Sequence, residues 1–307
     1  MKVLILGGTG FLGTHVKKLL EQRPDVEVFS ASRNEGTDVR NFAQFSEKLK
    51  EVSPDGIINC AAHVGGMQYV RKHAADTIYD NVQMVLNIYK AVADVCPATK
   101  VINPLSNCSY PGEANIHIES EWQNGPVHPT VLGYGSTKRI LYAVAESFSQ
   151  QYGIKSVNWL VPNGYGPGDH IDPERVHALN GILIRLIQAQ KKGDATFEIW
   201  GTGKPTREWG YIEDVARIMV QSLEIDSQVY PINFAQNRAY SITEIATLGA
   251  KALNYDVEFV FNTQYPDGAP TKILDDHEFR SKYPEFQFTP LELGIRKTIE
   301  YYKAKLA

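Results

Sequence analysis

The chain has 307 residues, enough for one large domain or two closely associated ones. Hydrophobic residues make up 43% and charged residues 21% of the sequence, as in ordinary globular proteins. The formal net charge of -4 gives no positive field that would attract nucleic acid or an anionic membrane, so we expect neither as a partner. These numbers point to a globular protein that acts on a small molecule.

The cysteine content and the hydropathy of the chain give information on the cellular compartment of the protein. Cys60, Cys96 and Cys108 are scattered and odd in number, and their spacing matches no metal-binding or disulfide pattern. We therefore expect no metal site and a reduced, cytoplasmic setting. The first apolar run, 3–6, is too short for a signal sequence, and no stretch has the roughly 18 uninterrupted apolar residues of a membrane span.

The first half of the chain alternates between two hydrophobic periodicities. Short apolar runs predict strands at 3–6, 26–29, 56–60, 100–103 and 156–160. Helical spacing of apolar residues predicts helices that begin near residue 11 and lie at about 41–51, 77–95 and 132–152. Strands that alternate with helices predict an α/β fold with a doubly wound parallel (Rossmann) sheet.

The composition of the sequence changes after Pro162. The stretch 163–173 is rich in Gly, Pro and Asp, and a helix at about 179–192 and a strand at 197–200 follow. We predict a dinucleotide-binding domain of residues 1–162 with 207–236, and a smaller α/β lobe of residues 163–206 with 237–307. The lobe is expected to cover the carboxyl ends of the strands, where open α/β sheets bind ligands.

A glycine-rich turn follows the first predicted strand and begins the first predicted helix. Gly7, Gly10 and Gly13 recur at every third position, with Thr9, Phe11 and Leu12 between them. Such glycines permit a tight turn, close approach of the backbone to a pyrophosphate, and close packing of the helix on the strand. The strand–turn–helix context predicts a bound dinucleotide rather than a tight turn without a ligand.

The second predicted strand carries the residues that would contact the adenosine ribose. An acidic residue there would suit a free 2′-hydroxyl, but this chain has Arg33 instead. A guanidinium matches the geometry of a 2′-phosphate, so we predict NADP(H) rather than NAD(H). The alternative is that Arg33 extends into solvent, as many loop arginines do.

Tyr134 and Lys138 are one turn apart on a predicted helix and therefore share a face. A nearby ammonium favours the phenolate, so we expect Lys138 to lower the pKa of Tyr134 toward neutral values. The same lysine is suited to hold the nicotinamide ribose. Ser106, at the end of the fourth predicted strand, is placed to donate a hydrogen bond to a substrate oxygen.

The glycine-rich turn and the Ser106, Tyr134 and Lys138 set resemble the extended branch of the short-chain dehydrogenase/reductase family over nearly the whole chain. Within that branch, stretches 61–66, 162–167, 200–208 and 266–268 resemble the GDP-L-fucose synthase family. Its members are NADPH-dependent 3,5-epimerase/4-reductases of GDP-4-keto-6-deoxy-D-mannose. The resemblance implies further dinucleotide contacts from Ala61, Ala62 and Pro162, and nucleotide-sugar contacts from Asn163, Arg185, Trp200, Arg207 and Asp267.

The resemblance also assigns an acid/base pair. In that family a cysteine and a histidine carry out epimerisation, and they match Cys108 and His177. A thiol is titratable and a histidine titrates near neutral pH, as proton exchange beside a ketone requires. The alternatives are a small buried hydrophobe for Cys108, a helix-start histidine bonded to backbone for His177, and core packing for Trp200.

Some positions depart from the family pattern. Asn107 replaces a second serine before Cys108, Gly164 stands in place of a larger apolar residue, and Thr271 stands before Lys272 in place of a basic residue. The exact sugar therefore stays open, and so does a single-function C4 reductase or epimerase of another nucleotide-linked 4-keto sugar. By resemblance we also expect a homodimer formed through the helices near 77–96 and 132–152.

Overall fold

The computed structural model describes residues 1–307 and consists of ten helices and twelve strands with short connections. The strands are β1 (Lys2–Leu6), β2 (Glu27–Ala31), β3 (Gly56–Asn59), β4 (Lys100–Ser106), β5 (Ser156–Val161), β6 (Asn163–Tyr165), β7 (Thr196–Trp200), β8 (Thr206–Tyr211), β9 (Gln228–Asn233), β10 (Ala239–Ser241), β11 (Glu258–Asn262) and β12 (Thr271–Lys272). The helices are α1 (Phe11–Leu20), α2 (Phe42–Val52), α3 (Met67–Lys72), α4 (Ala74–Val95), α5 (Leu132–Tyr152), α6 (Ala178–Lys192), α7 (Ile212–Gln221), α8 (Ile242–Ala252), α9 (His277–Lys282) and α10 (Leu291–Lys305).

The main sheet has six parallel strands in the order β2-β1-β3-β4-β5-β9. The predicted doubly wound α/β fold is therefore confirmed. The five strands predicted in the first half of the chain are all present in this sheet. The short helix α3 was not predicted; His73, with φ of -110° and ψ of 36°, separates its last residue from the first residue of α4.

The continuous apolar sequence of β1 is explained by burial on both faces. Val3 and Ile5 pack into a cluster with residues of α1 and α7, whereas Leu4 and Leu6 pack into a cluster with residues of α4 and α5. All four side chains are fully buried. Alternate residues of a strand point to opposite faces, so a central strand between two helical layers must be apolar at every position.

The C-terminal part of the chain has a separate core. Two smaller sheets, β10-β8-β12 with β6 on β8, and the parallel pair β11-β7, pack with α6, α8 and α10 around a third apolar cluster. The predicted residue boundaries of the two domains stay a prediction. None of the ten helices combines the length and apolar character that a membrane span requires.

Candidate active site

A single large cleft, about 1030 Å³ in volume, lies at the carboxyl ends of the main-sheet strands. Segments that follow β1, β2, β3, β4 and β5 form one wall, and residues of α6, β7 and β8 form the other. With the exception of Gly13, every residue predicted for catalysis or binding lines this cleft: Gly7, Thr9, Gly10, Phe11, Leu12, Arg33, Ala61, Ala62, Ser106, Cys108, Tyr134, Lys138, Pro162, Asn163, His177, Arg185, Trp200, Arg207 and Asp267. The topology thus brings together residues that are far apart in sequence.

The glycine-rich turn has a conformation that side chains would not permit. Gly7 has a φ of 72°, and a Cβ atom there would lie 2.9 Å from the backbone of Ala61. A Cβ atom at Gly13 would lie 2.1 Å from the carbonyl oxygen of Gly7, so Gly13 packs α1 onto the turn rather than facing the cleft. The free N-terminus of α1 borders the cleft, and these features fit the pyrophosphate of a dinucleotide.

Arg33 is exposed at the edge of the cleft, two residues after the end of β2. Its guanidinium makes no hydrogen bond or ion pair within the protein, whereas the neighbouring Glu35 accepts hydrogen bonds from Ser30 at 2.8 Å and Ser32 at 2.6 Å. The carboxylate of Glu35 is therefore already bonded to two hydroxyl groups of the protein. The cation remains free to pair with a phosphate.

Tyr134 and Lys138 lie together on α5, beside the end of β4. The Lys138 ammonium is 5.4 Å from the centre of the Tyr134 ring and donates a hydrogen bond of 2.9 Å to the carbonyl oxygen of Pro104. Burial lowers the pKa of Lys138 to about 8. Burial also raises the pKa of Tyr134, so the expected lowering of this pKa by Lys138 is wrong for the protein alone. The phenol is protonated at neutral pH.

Two glycines allow the start of α5 to reach this position. A Cβ atom at Gly133 would lie 2.7 Å from the carbonyl oxygen of Ala74, and one at Gly135 would lie 2.4 Å from that of Cys108. Contacts this short leave no room for any side chain. The glycine after Tyr134 is therefore a packing requirement that places the phenol beside the segment carrying Cys108.

Cys108 is half-buried in the cleft wall, where it contacts two polar side chains. The ammonium of Lys272, which β12 carries, is 3.3 Å from its sulfur, and its backbone N–H donates to Ser106 Oγ at 3.2 Å. Burial alone would raise the pKa of the thiol, but the charge of Lys272 and hydrogen bonds from Ser106 and Lys272 bring it below its usual value. The contact of its sulfur with an ammonium in the cleft wall argues against a small core hydrophobe at Cys108.

His177 immediately precedes α6, and its ring nitrogen Nδ1 is 3.0 Å from Oδ2 of Asp169. The same oxygen accepts the backbone N–H of His177 at 2.8 Å and the side-chain amide of Asn180 at 3.0 Å. Burial would raise the pKa of Asp169, but the hydrogen bonds and the charge of His177 hold it below its usual value. The ring is thus oriented by a carboxylate, not by backbone, which excludes the alternative of a backbone-bonded helix-start histidine.

Phe11 connects the glycine-rich turn to this histidine. The centres of the Phe11 and His177 rings are 5.5 Å apart, with their planes inclined at 37°. Phe11 is the first residue of α1, directly after the turn. The segment that would hold a pyrophosphate therefore also packs against the imidazole, and the two parts of the cleft are in contact.

The opposite end of the cleft is aromatic and cationic. The Trp200 ring stacks on Tyr265 with centres 4.7 Å apart, and the Arg185 guanidinium lies 4.3 Å from the Trp200 ring centre. Trp200 is 38% exposed, so the alternative of core packing is wrong. Burial lowers the pKa of Arg185 to about 10, which leaves it charged at neutral pH. A flat apolar ring beside a cation suits a nucleoside and its phosphates.

Asp267 holds the turn that follows Trp200. Its two carboxylate oxygens accept the backbone N–H and the hydroxyl of Thr202, each at 2.8 Å. Arg207 donates to the carbonyl oxygens of Thr206 at 2.8 Å and of Asp267 at 3.3 Å. Both residues border the cleft, but Asp267 also organises the loop that presents Trp200.

Sequence reasoning did not identify two side chains that contact His177 and Cys108, namely Asp169 and Lys272. Asp169 lies in the glycine- and proline-rich stretch before His177, and Lys272 follows shortly after Asp267, so both are close in sequence to residues that were identified. What the sequence did not show is that β12 pairs with β8 and so carries Lys272 to the sulfur of Cys108.

A dinucleotide turn, a protonated tyrosine beside a lysine, and a thiol and an imidazole in one cleft define an enzyme that combines redox and acid/base chemistry. Residues 3–235 match the model of the NAD dependent epimerase/dehydratase family. The chain belongs to this family.

The relatives of the chain extend over its whole length. It is 30% identical to the GDP-L-fucose synthase of Escherichia coli, over 98% of this chain and 96% of that protein. It is 29% identical to a probable GDP-L-fucose synthase of Drosophila melanogaster, over 98% and 97% of the two chains. Its structure is similar to that of a GDP-L-fucose synthetase from Naegleria fowleri bound to NADP, with a TM-score of 0.89, 26% identity, and coverage of 99% and 93%.

Proposed function

We propose that this chain is an NADPH-dependent 3,5-epimerase/4-reductase of a GDP-linked 4-keto sugar. The names of its full-length relatives support the GDP-sugar and the reaction type, and the structural relative bound to NADP supports the cofactor. The sugar is 4-keto-6-deoxy-mannose or a related 4-keto sugar such as a heptose. The observation that carries the proposal is the position of Cys108 and His177 in the same cleft as Ser106, Tyr134 and Lys138.

The reductive half of the reaction requires a proton donor at the carbonyl oxygen. When bound, NADPH supplies a hydride to the C4 carbon. Tyr134 gives its phenolic proton to the C4 oxygen, a role that suits a phenol held protonated by burial. Ser106 donates a hydrogen bond to the same oxygen, and the positive charge of Lys138 stabilises the tyrosinate that remains.

The epimerising half uses the acidity of the protons beside the C4 ketone. The thiolate of Cys108, stabilised by Lys272, removes a proton from one neighbouring carbon, and the electron pair moves onto the C4 oxygen as an enolate. His177, whose ring is held by a hydrogen bond to Asp169, returns a proton to that carbon from the other face. Cys108 is then a thiol and His177 is neutral, so the pair acts with reversed roles at the second centre.

The remaining assignments complete the proposal. Arg185, Arg207 and Trp200 bind the diphosphate and base, Asn163 contacts the sugar, and Asp267 contacts the nucleotide-sugar while it holds the Trp200 loop. The three free cysteines are consistent with the proposed cytoplasmic location. A homodimer through α4 and α5 stays a prediction, in which the exposed Tyr79 and Leu86 would be covered.

The proposed function is tested with purified protein, NADPH and a panel of GDP-, dTDP- and UDP-linked 4-keto sugars, followed by NMR of the products. We expect NADPH oxidation with a GDP-linked sugar and inversion at C3 and C5. A product reduced at C4 without inversion would favour the single-function reductase. Inversion without net oxidation of NADPH would favour an epimerase.

Replacing Arg33 with serine should weaken NADPH binding. Loss of a charge-assisted hydrogen bond to the 2′-phosphate is worth about 1.5–3 kcal/mol, so KM for NADPH should rise about 10- to 100-fold while KM for NADH hardly changes. Steady-state kinetics with both cofactors measure this, with Arg296→Ser, at an exposed position of the last helix, as the control. An equal effect on the two cofactors would contradict the assignment of Arg33.

Replacing Asp169 with asparagine should impair epimerisation more than reduction. The buried carboxylate orients the His177 ring through a hydrogen bond, so we expect solvent deuterium to enter the sugar at least about tenfold more slowly. Deuterium exchange and NADPH oxidation are measured on the same samples. Asp226→Asn, at an exposed ion pair, is the control, and a parallel fall of both rates would indicate only a structural role.

A further inference from the structure

A second, much smaller cavity adjoins Cys108, and we call it the inner chamber. The space in it that is open to the centre of a water molecule is about 10 Å³, which is sufficient for one water molecule. Five residues line both the inner chamber and the main cleft: Cys108, His128, Val131, Ala269 and Lys272. Cys108 therefore borders substrate space on one side and the inner chamber on the other.

The inner chamber is lined by buried polar groups that have no partner in the protein. Asn107 is 1% exposed, and neither its amide oxygen nor its amide nitrogen makes a hydrogen bond. His117 is 2% exposed, and its Nδ1 atom also has no partner. Buried amide and imidazole groups are costly to leave unpaired, and native structures satisfy such groups with protein or ordered water.

The surrounding protein holds the His117 ring in place. The His117 ring stacks on Tyr110 with centres 4.2 Å apart and planes inclined at 9°, and the hydroxyl of Tyr110 is bonded to Asn233 at 2.8 Å. Burial and the charges of Lys272 and Arg207 lower the pKa of His117 to about 3. The imidazole is thus neutral and fixed in place, and in the tautomer with the ring proton on Nε2 its free Nδ1 accepts a hydrogen bond.

We propose that the inner chamber binds one ordered water molecule. The water is held between the Asn107 amide and His117, and it donates a hydrogen bond to the sulfur of Cys108. Water accepts from the Asn107 N–H, donates one hydrogen to His117 Nδ1, and directs the other to the thiolate. The unpaired amide of Asn107 supplies the N–H donor of this site. The water site is independent of the reaction, whereas its use in epimerisation rests on the proposed function.

Other charged and titratable groups also act on this thiol. Lys272, Arg207 and Lys138 are the cations, while Tyr134, His117 and His128 are uncharged at neutral pH because burial shifts their pKa values away from it. None of these groups changes when Asn107 is replaced. A change in the titration of Cys108 in a variant at position 107 therefore reports the local hydrogen bonding of the sulfur.

The direct test is a crystal structure of the whole protein at a resolution that shows ordered water. We expect one peak within hydrogen-bonding distance of the Asn107 amide, of His117 Nδ1 and of the Cys108 sulfur. A structure in which Asn107 and His117 bond directly to each other, or in which no peak occupies the inner chamber, would overturn the proposal. Neither outcome depends on any sugar nucleotide, so the result is separate from the test of the proposed function.

The second test measures how the thiol titrates. The alkylation rate of Cys108 by iodoacetamide is followed against pH by peptide mass spectrometry, with Cys96 as an internal reference. In Asn107→Leu the side chain fills the inner chamber, and we expect the apparent pKa of Cys108 to rise by about one unit. In Asn107→Ser, which leaves room and a hydroxyl for the water, the apparent pKa should stay within about 0.3 units of the unsubstituted protein. An unchanged value in a folded Asn107→Leu protein would refute the role of the water.

Discussion

Replacing Tyr134 with phenylalanine should abolish most of the reductase activity and leave epimerisation in place. The phenol is the proposed proton donor to the C4 oxygen, and such a positioned acid contributes about 10²- to 10⁴-fold to the rate. NADPH oxidation with a GDP-linked 4-keto sugar should fall by that factor. Deuterium from solvent should still enter at C3 and C5, since Cys108 and His177 remain in place.

The control for this variant is Tyr301→Phe on α10, where the hydroxyl makes no hydrogen bond and does not border the cleft. It should oxidise NADPH at the rate of the unsubstituted protein. If Tyr134→Phe retained more than about a tenth of the reductase rate, the donor would have to be another group. Ser106 would then be the next candidate, because it is buried at the same end of β4.

Replacing both Cys108 and His177 with alanine should have the opposite effect: epimerisation is lost and reduction remains. Without either group, proton exchange at C3 and C5 loses its acid and its base, and the rate of deuterium incorporation should fall at least about 10²- to 10⁴-fold. Reduction at C4 should continue on the sugar that has not been inverted, because Tyr134 and Lys138 are unaffected. NMR of the product would show the uninverted configuration.

Comparison with the single variants tests whether the two groups act as a pair. Cys108→Ala and His177→Ala should each cost nearly as much as the double replacement, since neither group inverts a centre alone. Cys96→Ser, at a half-buried cysteine outside the cleft, is the matched control. Undiminished deuterium incorporation in the double variant would show that the acid/base assignment is wrong.

Much of the fold follows from local patterns. The strand positions, the long helices and the glycine-rich turn were predicted because each depends on periodicity or on a few adjacent residues. Val3 to Leu6 is apolar at every position because helices cover both faces of the strand, and this predicts a parallel sheet without any knowledge of its partners. The start of α4 was predicted less well, since α3 and the break at His73 have no strong signal.

The candidate site also has features that the sequence predicts and features that it does not. The identities of Ser106, Cys108, Tyr134, Lys138 and His177 came from motifs, but the states of these groups depend on burial and on distant neighbours. The sequence suggested that Lys138 would favour the Tyr134 phenolate, whereas in the structure burial raises that pKa and Lys138 donates to Pro104. The spacing of two residues along a helix specifies whether they share a face. It does not specify how deeply they are buried, and burial decides the pKa of Tyr134.

The sequence by itself thus predicted five strands of the main sheet, the glycine-rich turn and the candidate reactive side chains, because these are encoded in short segments. Only the tertiary structure decided their partners. Pairing of β12 with β8 places Lys272 beside the sulfur of Cys108, and the loop before α6 folds so that the buried Asp169 orients His177. Such contacts join residues of different elements, and their electrostatic effect depends on burial, which no local pattern specifies.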